Sequence, residues 1–357
     1  MIPFLREHFG NPSSGHAYGL RAREAVARAR AQVAALIRCD DDEVIFTSGG
    51  TEANNLAIRG VAEAREGLRH VVTTAIEHPA TERPCAWLEA HGWRVTRVRV
   101  NEEGAARVDE ACAAVEPSTA LVTVMHSNNE TGALQPVREI AEAARAMGAV
   151  MHTDAAQSVG KVPVDVRALG VDLLSIAGHK LYAPKGVGAL YVRRGTPIAP
   201  FARGAGHERG LRPGTENVAS IVGLGVACEL AGAALDAEAA RLRALREALW
   251  EGIAARVPGI ARHGHPAACL PNTLSVRFPG VLGDAVLACA PEVAASTGSA
   301  CHAGASRASA VILAMGVSPE EALGTVRLTL GRGSTGEEVG RAVEALARGW
   351  RAARGRG

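Results

Sequence analysis
Short apolar runs recur along the first two thirds of the chain, each closed by a turn rich in glycine, serine, histidine or asparagine. Val44-Ile45-Phe46-Thr47, Val71-Val72-Thr73-Thr74, Leu121-Val122-Thr123-Val124-Met125 and Gly188-Ala189-Leu190-Tyr191-Val192 read as buried strands. Ala149-Val150-Met151 and Val171-Asp172-Leu173-Leu174 read the same way. Between them, polar and apolar positions alternate with helical spacing. Ala22, Val26, Ala29, Val33 and Leu36 form one such stripe from Leu20 to Ile37, with arginines between them. Similar stretches run from about Ala53 to Ala64 and from Val137 to Met147. Strands alternating with helices predict a mostly parallel, mixed sheet sandwiched by crossover helices. Arg94 to Val100 alternates as a further strand and meets a turn at Asn101. Near Leu235 the pattern changes. Asp236 to Arg256 reads as one long Ala/Leu/Arg helix, followed by strands Thr273–Phe278 and Val326–Leu330 and a closing helix from Glu337 to Arg354. The expected organisation is a large α/β domain, 1–235, and a smaller α+β domain, 236–357.

Two of the strand ends carry chemistry. His152-Thr153-Asp154-Ala155-Ala156-Gln157 follows one apolar run, and Ser175-Ile176-Ala177-Gly178-His179-Lys180 follows another. Ligands of open α/β sheets bind outside the carboxyl ends of the strands, so Asp154 and Lys180 are expected to face one crevice. A lysine and a carboxylate placed that way suit pyridoxal phosphate. The amine forms a Schiff base with the aldehyde, and the carboxylate keeps the pyridine nitrogen protonated. The alternative is an ordinary loop lysine. Ser48-Gly49-Gly50-Thr51-Glu52 turns a strand into a helix, leaving backbone N–H groups for a phosphate, or simply an N-cap.

Other residues have two readings as well. His78 follows a strand, where an imidazole stacks on a cofactor ring, though lone histidines are commonly surface or core residues. Gln157 can donate to a phenolate oxygen or stand as a surface amide. Cys301 lies among small residues, Ser296-Thr297-Gly298-Ser299-Ala300-Cys301-His302-Ala303-Gly304, which suits a thiolate that travels to its substrate better than an inert core thiol. Arg327, between Val326 and Leu328, is placed for a substrate carboxylate or for an ion pair.

Composition narrows the function. The 357 residues include 39 basic and 37 acidic side chains, so the net charge of +2 leaves no footprint for nucleic acid or an anionic membrane. Hydrophobic residues at 47% are enough for a sizeable core. The apolar runs are expected to be too short to span a bilayer, and Met1 to Gly10 has no signal-peptide pattern. Seven cysteines without a CxxC pair point to reduced thiols in the cytoplasm and to no metal site.

Taken in order, the motifs resemble one family. Phe9-Gly10-Asn11-Pro12-Ser13-Ser14, Thr47-Ser48-Gly49-Gly50-Thr51-Glu52, Met125-His126-Ser127-Asn128-Asn129-Glu130-Thr131-Gly132 and Asp154-Ala155-Ala156-Gln157-Ser158-Val159-Gly160-Lys161 come first. Gly178-His179-Lys180, Arg212-Pro213-Gly214-Thr215-Glu216-Asn217, Gly298-Ser299-Ala300-Cys301 and Leu328-Thr329-Leu330-Gly331-Arg332 follow. The chain is similar to the pyridoxal-phosphate enzymes of the cysteine desulfurase and selenocysteine lyase group, in the class V aminotransferase branch of fold type I. That resemblance implies a cytoplasmic homodimer that takes sulfur from L-cysteine, leaves alanine and hands the sulfur to an acceptor protein, a scaffold or carrier. Lys180 resembles the Schiff-base lysine, Asp154 the pyridinium partner and His78 the stacking histidine. Gln157 and Asn129 resemble the groups around the cofactor hydroxyl and substrate. Gly50, Thr51 and His179 match phosphate contacts, and Thr215 matches the residue that reaches a neighbouring subunit's phosphate. Cys301 resembles the catalytic cysteine and Arg327 the carboxylate-binding arginine.

The match departs at two places. The family opens with a strand and an Ala-Thr-Thr stretch, after which this chain begins. Ala177 stands where many desulfurases have a phosphate-binding serine, a loss of about 1 kcal/mol. Rival readings are a selenocysteine lyase, a plain aminotransferase (which has no use for the cysteine) and an inactive cofactor-binding scaffold.

Overall fold
The computed structural model describes residues 1–298 and 308–355. Its chain divides into two units, one of Met1–Val98, Val108–His126 and Pro136–Leu235, the other of Arg99–Arg107, Ser127–Gln135 and Asp236–Gly357.

The first unit is built on strands β1 (Val44–Thr47), β2 (His70–Thr74), β3 (Arg94–Val98), β4 (Thr119–Thr123), β5 (Val150–Asp154), β6 (Leu173–Ala177) and β7 (Gly188–Val192). They form one sheet in the order β1-β7-β6-β5-β4-β2-β3. β7 runs antiparallel to both neighbours, while β6, β5, β4, β2 and β3 are parallel, as the alternation of elements implies. From β2 the chain steps outward to β3, then returns to the other side of β2 as β4. That reversal makes the carboxyl ends of β2 and β4 the topological switch point, where such sheets take ligands. Helices Ala17–Ile37, Gly50–Ala64, Pro79–Ala90 and Val137–Ala146 accompany the sheet. The apolar face of Gly50–Ala64, with Leu56, Ile58 and Val61, shares a core with Ile45, Val71, Leu121, Leu173 and Leu190.

Three elements have boundaries that differ clearly from expectation. β6 starts at Leu173 and carries the chain directly to Gly178, and β4 lies two residues earlier than its apolar run suggests. The long helix begins at Val218, eighteen residues before the expected start, and ends at Ala254. Gly223 and Gly225 hide its first half, because glycine weakens helix propensity. Both are there for close approach: a Cβ on Gly225 would fall 2.6 Å from Ala29 Cα, and one on Gly223 3.0 Å from Pro184 Cδ. Contrary to the expectation from its runs, this helix is long and apolar enough, by length and composition alone, to cross a membrane. It packs against helix Ala17–Ile37 through a close approach at Ala29 and through the Gln32 Nε2 donation to Glu229 at 2.8 Å.

The second unit has an antiparallel sheet in the order β10-β9-β8, from β8 (Ala261–His263), β9 (Thr273–Arg277) and β10 (Thr325–Thr329). Leu249, Ile253, Val276, Phe278, Val326, Leu346 and Trp350 form its core, with helix Gly336–Arg354 over it. A capping box at Thr335 and Glu338 starts that helix.

Buried histidines make the first unit sensitive to acid. His152 on β5 bonds Thr123 of β4 at 2.7 Å and Ser175 of β6 at 3.0 Å, joining three strands side to side. Burial lowers its imidazole to about 3 and that of His126 to about 4. The unfolded chain therefore takes up protons near 6.5, before the folded one does. Stability is expected to fall from about pH 6.5 towards 4, by up to about 1.4 kcal/mol per pH unit for each histidine. Thermal unfolding across that range checks it, and His152→Gln should flatten the slope.

Candidate active site
Four strand ends of the first unit supply most of the candidate residues. β1 leads through Ser48 and Gly49 into helix Gly50–Ala64, and no side chain caps that helix at Gly49. Gly49 has φ of +152°, a backbone that favours glycine. Gly50 and Thr51 thus stand where first-turn N–H groups are open to an anion. Glu52 stiffens the turn: its Oε2 accepts from Ser48 N and its Oε1 from Arg212 Nε, both at 2.9 Å. Burial pushes this carboxyl up, but those two partners more than reverse the effect and leave it lowered. Arg212 lies on the same loop as Thr215, so the ion pair ties that loop to the turn.

β2 runs into Glu77 and His78. His78 caps helix Pro79–Ala90, its Nδ1 accepting from Ala80 N at 3.1 Å, which leaves the neutral ring's proton on Nε2. Burial lowers its pKa, with Asp154 opposing and Lys180 adding to the shift, so the three side chains share one electrostatic site. β5 ends at Asp154, which is 7% exposed. Its Oδ1 accepts from Ala156 N at 2.9 Å and its Oδ2 from Asn54 Nδ2 at 2.7 Å. β6 opens into a single 3₁₀ turn, Gly178–Leu181, that carries His179 and Lys180, both exposed. Gly178 is required there, since a Cβ would stand 2.7 Å from Val187 O. Burial lowers the His179 imidazole, and Lys180, Lys185 and Lys161 push it the same way.

Gln157 is half-buried, and its carbonyl accepts from Lys161 Nζ at 2.8 Å. Burial, then the charge of Lys180, brings that amine down to about 8. Thr215 is exposed on its loop. Asn129 and Arg327 both belong to the second unit, and Arg327 Nη1 donates to Asn129 O at 2.9 Å. Arg327 Nη2 donates to Ser296 Oγ at 3.0 Å. The arginine is thus held by the backbone carbonyl of Asn129. Cys301 lies outside the described residues.

Sequence reasoning missed Asn54, Glu77 and the Glu52–Arg212 pair. Glu52 was visible within its motif, but a partner 160 positions away is not a local pattern. Glu77 stood beside His78 without any sign that its carboxyl is buried. Among the described residues no cluster of histidine, cysteine or carboxylate is arranged to hold a metal.

The model of the class-V aminotransferase family matches residues 1–342. The chain belongs to that family. It is 44% identical over 350 residues to a cysteine desulfurase of Gluconacetobacter diazotrophicus, covering 97% of this chain and 88% of the relative. To the cysteine desulfurase IscS of Methanosarcina thermophila it is 43% identical, covering 97% and 86%. Among solved structures, a NifS-like protein superposes with TM-score 0.91 at 35% identity, covering 97% of this chain and 93% of that one. A structure of SspA in complex with cysteine gives TM-score 0.82 at 36% identity, with 92% of each chain covered. Within the class-V family the chain therefore falls among the cysteine desulfurases, in a fold of mostly parallel mixed sheet and helices.

The turn at Gly49 packs closely against β7. A Cβ on Gly188 would fall 2.4 Å from Ile176 O and 2.7 Å from Gly49 Cα. Gly188→Ala is expected to cost about 1–3 kcal/mol in denaturant unfolding. Gly15→Ala, with nothing within 4 Å of the added carbon, should be neutral within error.

Proposed function
We propose that the protein is a pyridoxal-phosphate-dependent cysteine desulfurase that converts L-cysteine to L-alanine and leaves the sulfur as a persulfide on Cys301. The observation that carries this reading is the pairing of Asp154, fixed at the end of β5, with Lys180 on the turn after neighbouring β6, beside an uncapped helix N-terminus. The cofactor fits the donor set: a carboxylate for the ring nitrogen, an amine for the aldehyde and open N–H groups for the phosphate. The desulfurase relatives and the cysteine-bound SspA structure support L-cysteine as the substrate.

Bound pyridoxal phosphate supplies an aldehyde for Lys180 and an electron-withdrawing ring that weakens bonds at the substrate's Cα. Asp154 holds the ring-nitrogen proton, and Asn54 and Ala156 N hold Asp154. Gly50, Thr51 and His179 take the phosphate. His78, with its proton on Nε2, would stack on the ring, and Gln157 would donate to the phenolate oxygen. Lys180 Nζ removes the Cα proton. Arg327 binds the substrate carboxylate beside Asn129. The Cys301 thiolate attacks the substrate sulfur: an S–S bond forms as the Cβ–S bond breaks, and the carbon keeps the electron pair and takes a proton, giving alanine. Among the described cysteines, burial raises Cys228 to about 12, raises Cys39 to about 12 with help from Glu43, and raises Cys85 further, which makes each a poor nucleophile.

In this reading 1–235, apart from the segments Arg99–Arg107 and Ser127–Gln135 that belong to the second unit, is the cofactor domain, and 236–357 is the smaller domain that carries the cysteine segment. Thr215 reaches the phosphate of a second copy in a homodimer, and a scaffold or carrier protein accepts the sulfur in the cytoplasm.

The purified protein should be yellow, and Lys180→Ala should lose both that absorbance and alanine release from L-cysteine. Full activity in Lys180→Ala would refute the assignment. Cys301→Ser should keep the spectral response to L-cysteine and lose the persulfide, read by alkylation and mass spectrometry. A persulfide found mainly on Cys39, Cys85, Cys112, Cys228, Cys269 or Cys289 would show that another thiol does the work.

A further inference from the structure
At the switch point between β2 and β4, two buried side chains are left incompletely bonded. Asn54 is fully buried in the second turn of helix Gly50–Ala64. Its Nδ2 donates to Asp154 Oδ2 at 2.7 Å and to Thr81 Oγ1 at 3.2 Å, while its Oδ1 is buried with no hydrogen-bond partner. The reversed amide would turn Oδ1 towards the aspartate, so the carboxylate itself sets the orientation. Glu77 Oε1 accepts from Thr74 Oγ1 at 2.7 Å and from Met125 N at 3.0 Å, which fixes the carboxyl between the ends of β2 and β4. Its Oε2 is buried and has no partner among the described residues.

A second carboxylate next to Asp154 would compete with it for the proton of any bound cation. A carboxyl with one oxygen buried and unbonded is poorly placed to carry a charge. The charged groups around Glu77 are Asp154 at the end of β5 and Glu82 on helix Pro79–Ala90, the latter bonded to Arg97 of β3. Burial first, then those two carboxylates, push Glu77 up to about 8, against the two hydrogen bonds it accepts. His78, its chain neighbour, supplies no opposing positive charge, since its own imidazole is lowered.

We infer that Asn54 and Glu77 are positioning residues for Asp154: Asn54 orients its carboxylate, and Glu77 stands beside it as an uncharged acid, so that Asp154 carries the charge that faces the cofactor ring nitrogen. The inference rests on the pyridoxal-phosphate reading above. It adds to that reading a division of labour between two neighbouring carboxyl groups.

The test needs no turnover. In the apoprotein at pH 7, the infrared C=O stretch of a protonated carboxyl should be present in wild type and lost in Glu77→Gln, and the wild-type band should fade above about pH 8. The folded chain keeps this proton after the unfolded chain has lost it near 4.5, so wild type should lose stability relative to Glu77→Gln as pH rises from about 4.5 to 8. Asn54→Leu should weaken pyridoxal phosphate binding about tenfold, the loss of one hydrogen bond to a charged group. With cofactor labelled at the ring nitrogen, its ¹⁵N resonance should move towards the unprotonated position in that variant. Asn54→Ser serves where leucine does not fold. A merely structural asparagine would lower the melting temperature and leave the ¹⁵N resonance in place, which overturns its part. An absent protonated-carboxyl band overturns the part of Glu77. A wild-type protein that binds no pyridoxal phosphate overturns the reading of the site itself, and the infrared result still decides whether Glu77 is neutral.

Discussion
The first unit depends on one buried carboxylate. Moving an ionised carboxylate out of water costs several kcal/mol unless its oxygens are bonded. Asp154 meets that cost with a backbone N–H on one oxygen and the Asn54 amide on the other. Both donors come from elements whose places are set by the sheet. Ala156 follows β5 in the chain, and Asn54 sits on the helix that β1 launches. The backbone of Asp154 contributes too, its carbonyl accepting from His126 N at 2.8 Å. The charge is thus built into the ends of the strands, and a displaced helix Gly50–Ala64 would take from Oδ2 its Asn54 donor.

The second unit treats a buried positive charge in a comparable way. Arg246 is 1% exposed, and its guanidinium donates to Leu270 O at 2.6 Å, Pro266 O at 2.9 Å and Cys269 Sγ at 2.7 Å, with Glu247 as its counter-ion. The loop it braces then pairs with the segment after Asn129. Leu134 N donates to Ala268 O at 3.0 Å, and Leu270 N to Gly132 O at 2.8 Å. Asn128 closes the turn from within, its Oδ1 accepting from Glu130 N at 2.8 Å and Thr131 N at 3.0 Å. The carbonyl that holds Arg327 is therefore presented by a turn fixed from two sides. Planar, multidentate arginine suits this bracing better than lysine would.

Much of this was legible in the residues because parallel strands are buried on both faces and read as continuous apolar runs. The runs before Asp154 and Lys180 located the strand ends, and the strand ends pointed to the candidate site. What stayed hidden has a physical reason in each case. Helix Val218–Ala254 was obscured by glycines that exist for close approach to Ala29 and Pro184, a tertiary constraint that overrides propensity. Asn54 looked like one of two adjacent asparagines in a helix, and only the sheet shows which of them meets Asp154. The Asn129 carbonyl that takes Arg327 was not legible, since a backbone acceptor leaves no mark on side-chain identity. Glu77 was passed over because burial is a property of its surroundings.

Backbone strain points to the same economy around Thr215. Glu208 and Arg209 have φ of 45° and 58°, a left-handed conformation that costs non-glycine residues about 1 kcal/mol or more each. Such a conformation persists only where the surroundings over-determine it. Here Glu208 accepts from both arms of Arg30, at 2.9 and 2.7 Å, and from Phe46 N on β1 at 2.8 Å. Arg30 also lies 4.6 Å over the Phe46 ring. Four residues further on, Arg212 meets Glu52 at the turn after the same strand. The loop that presents Thr215 is thus tied twice to β1 and its following turn, the strand that launches the candidate phosphate helix. A loop held that way needs no ordering when a ligand arrives, so the entropy of fixing it is met by folding and not by binding.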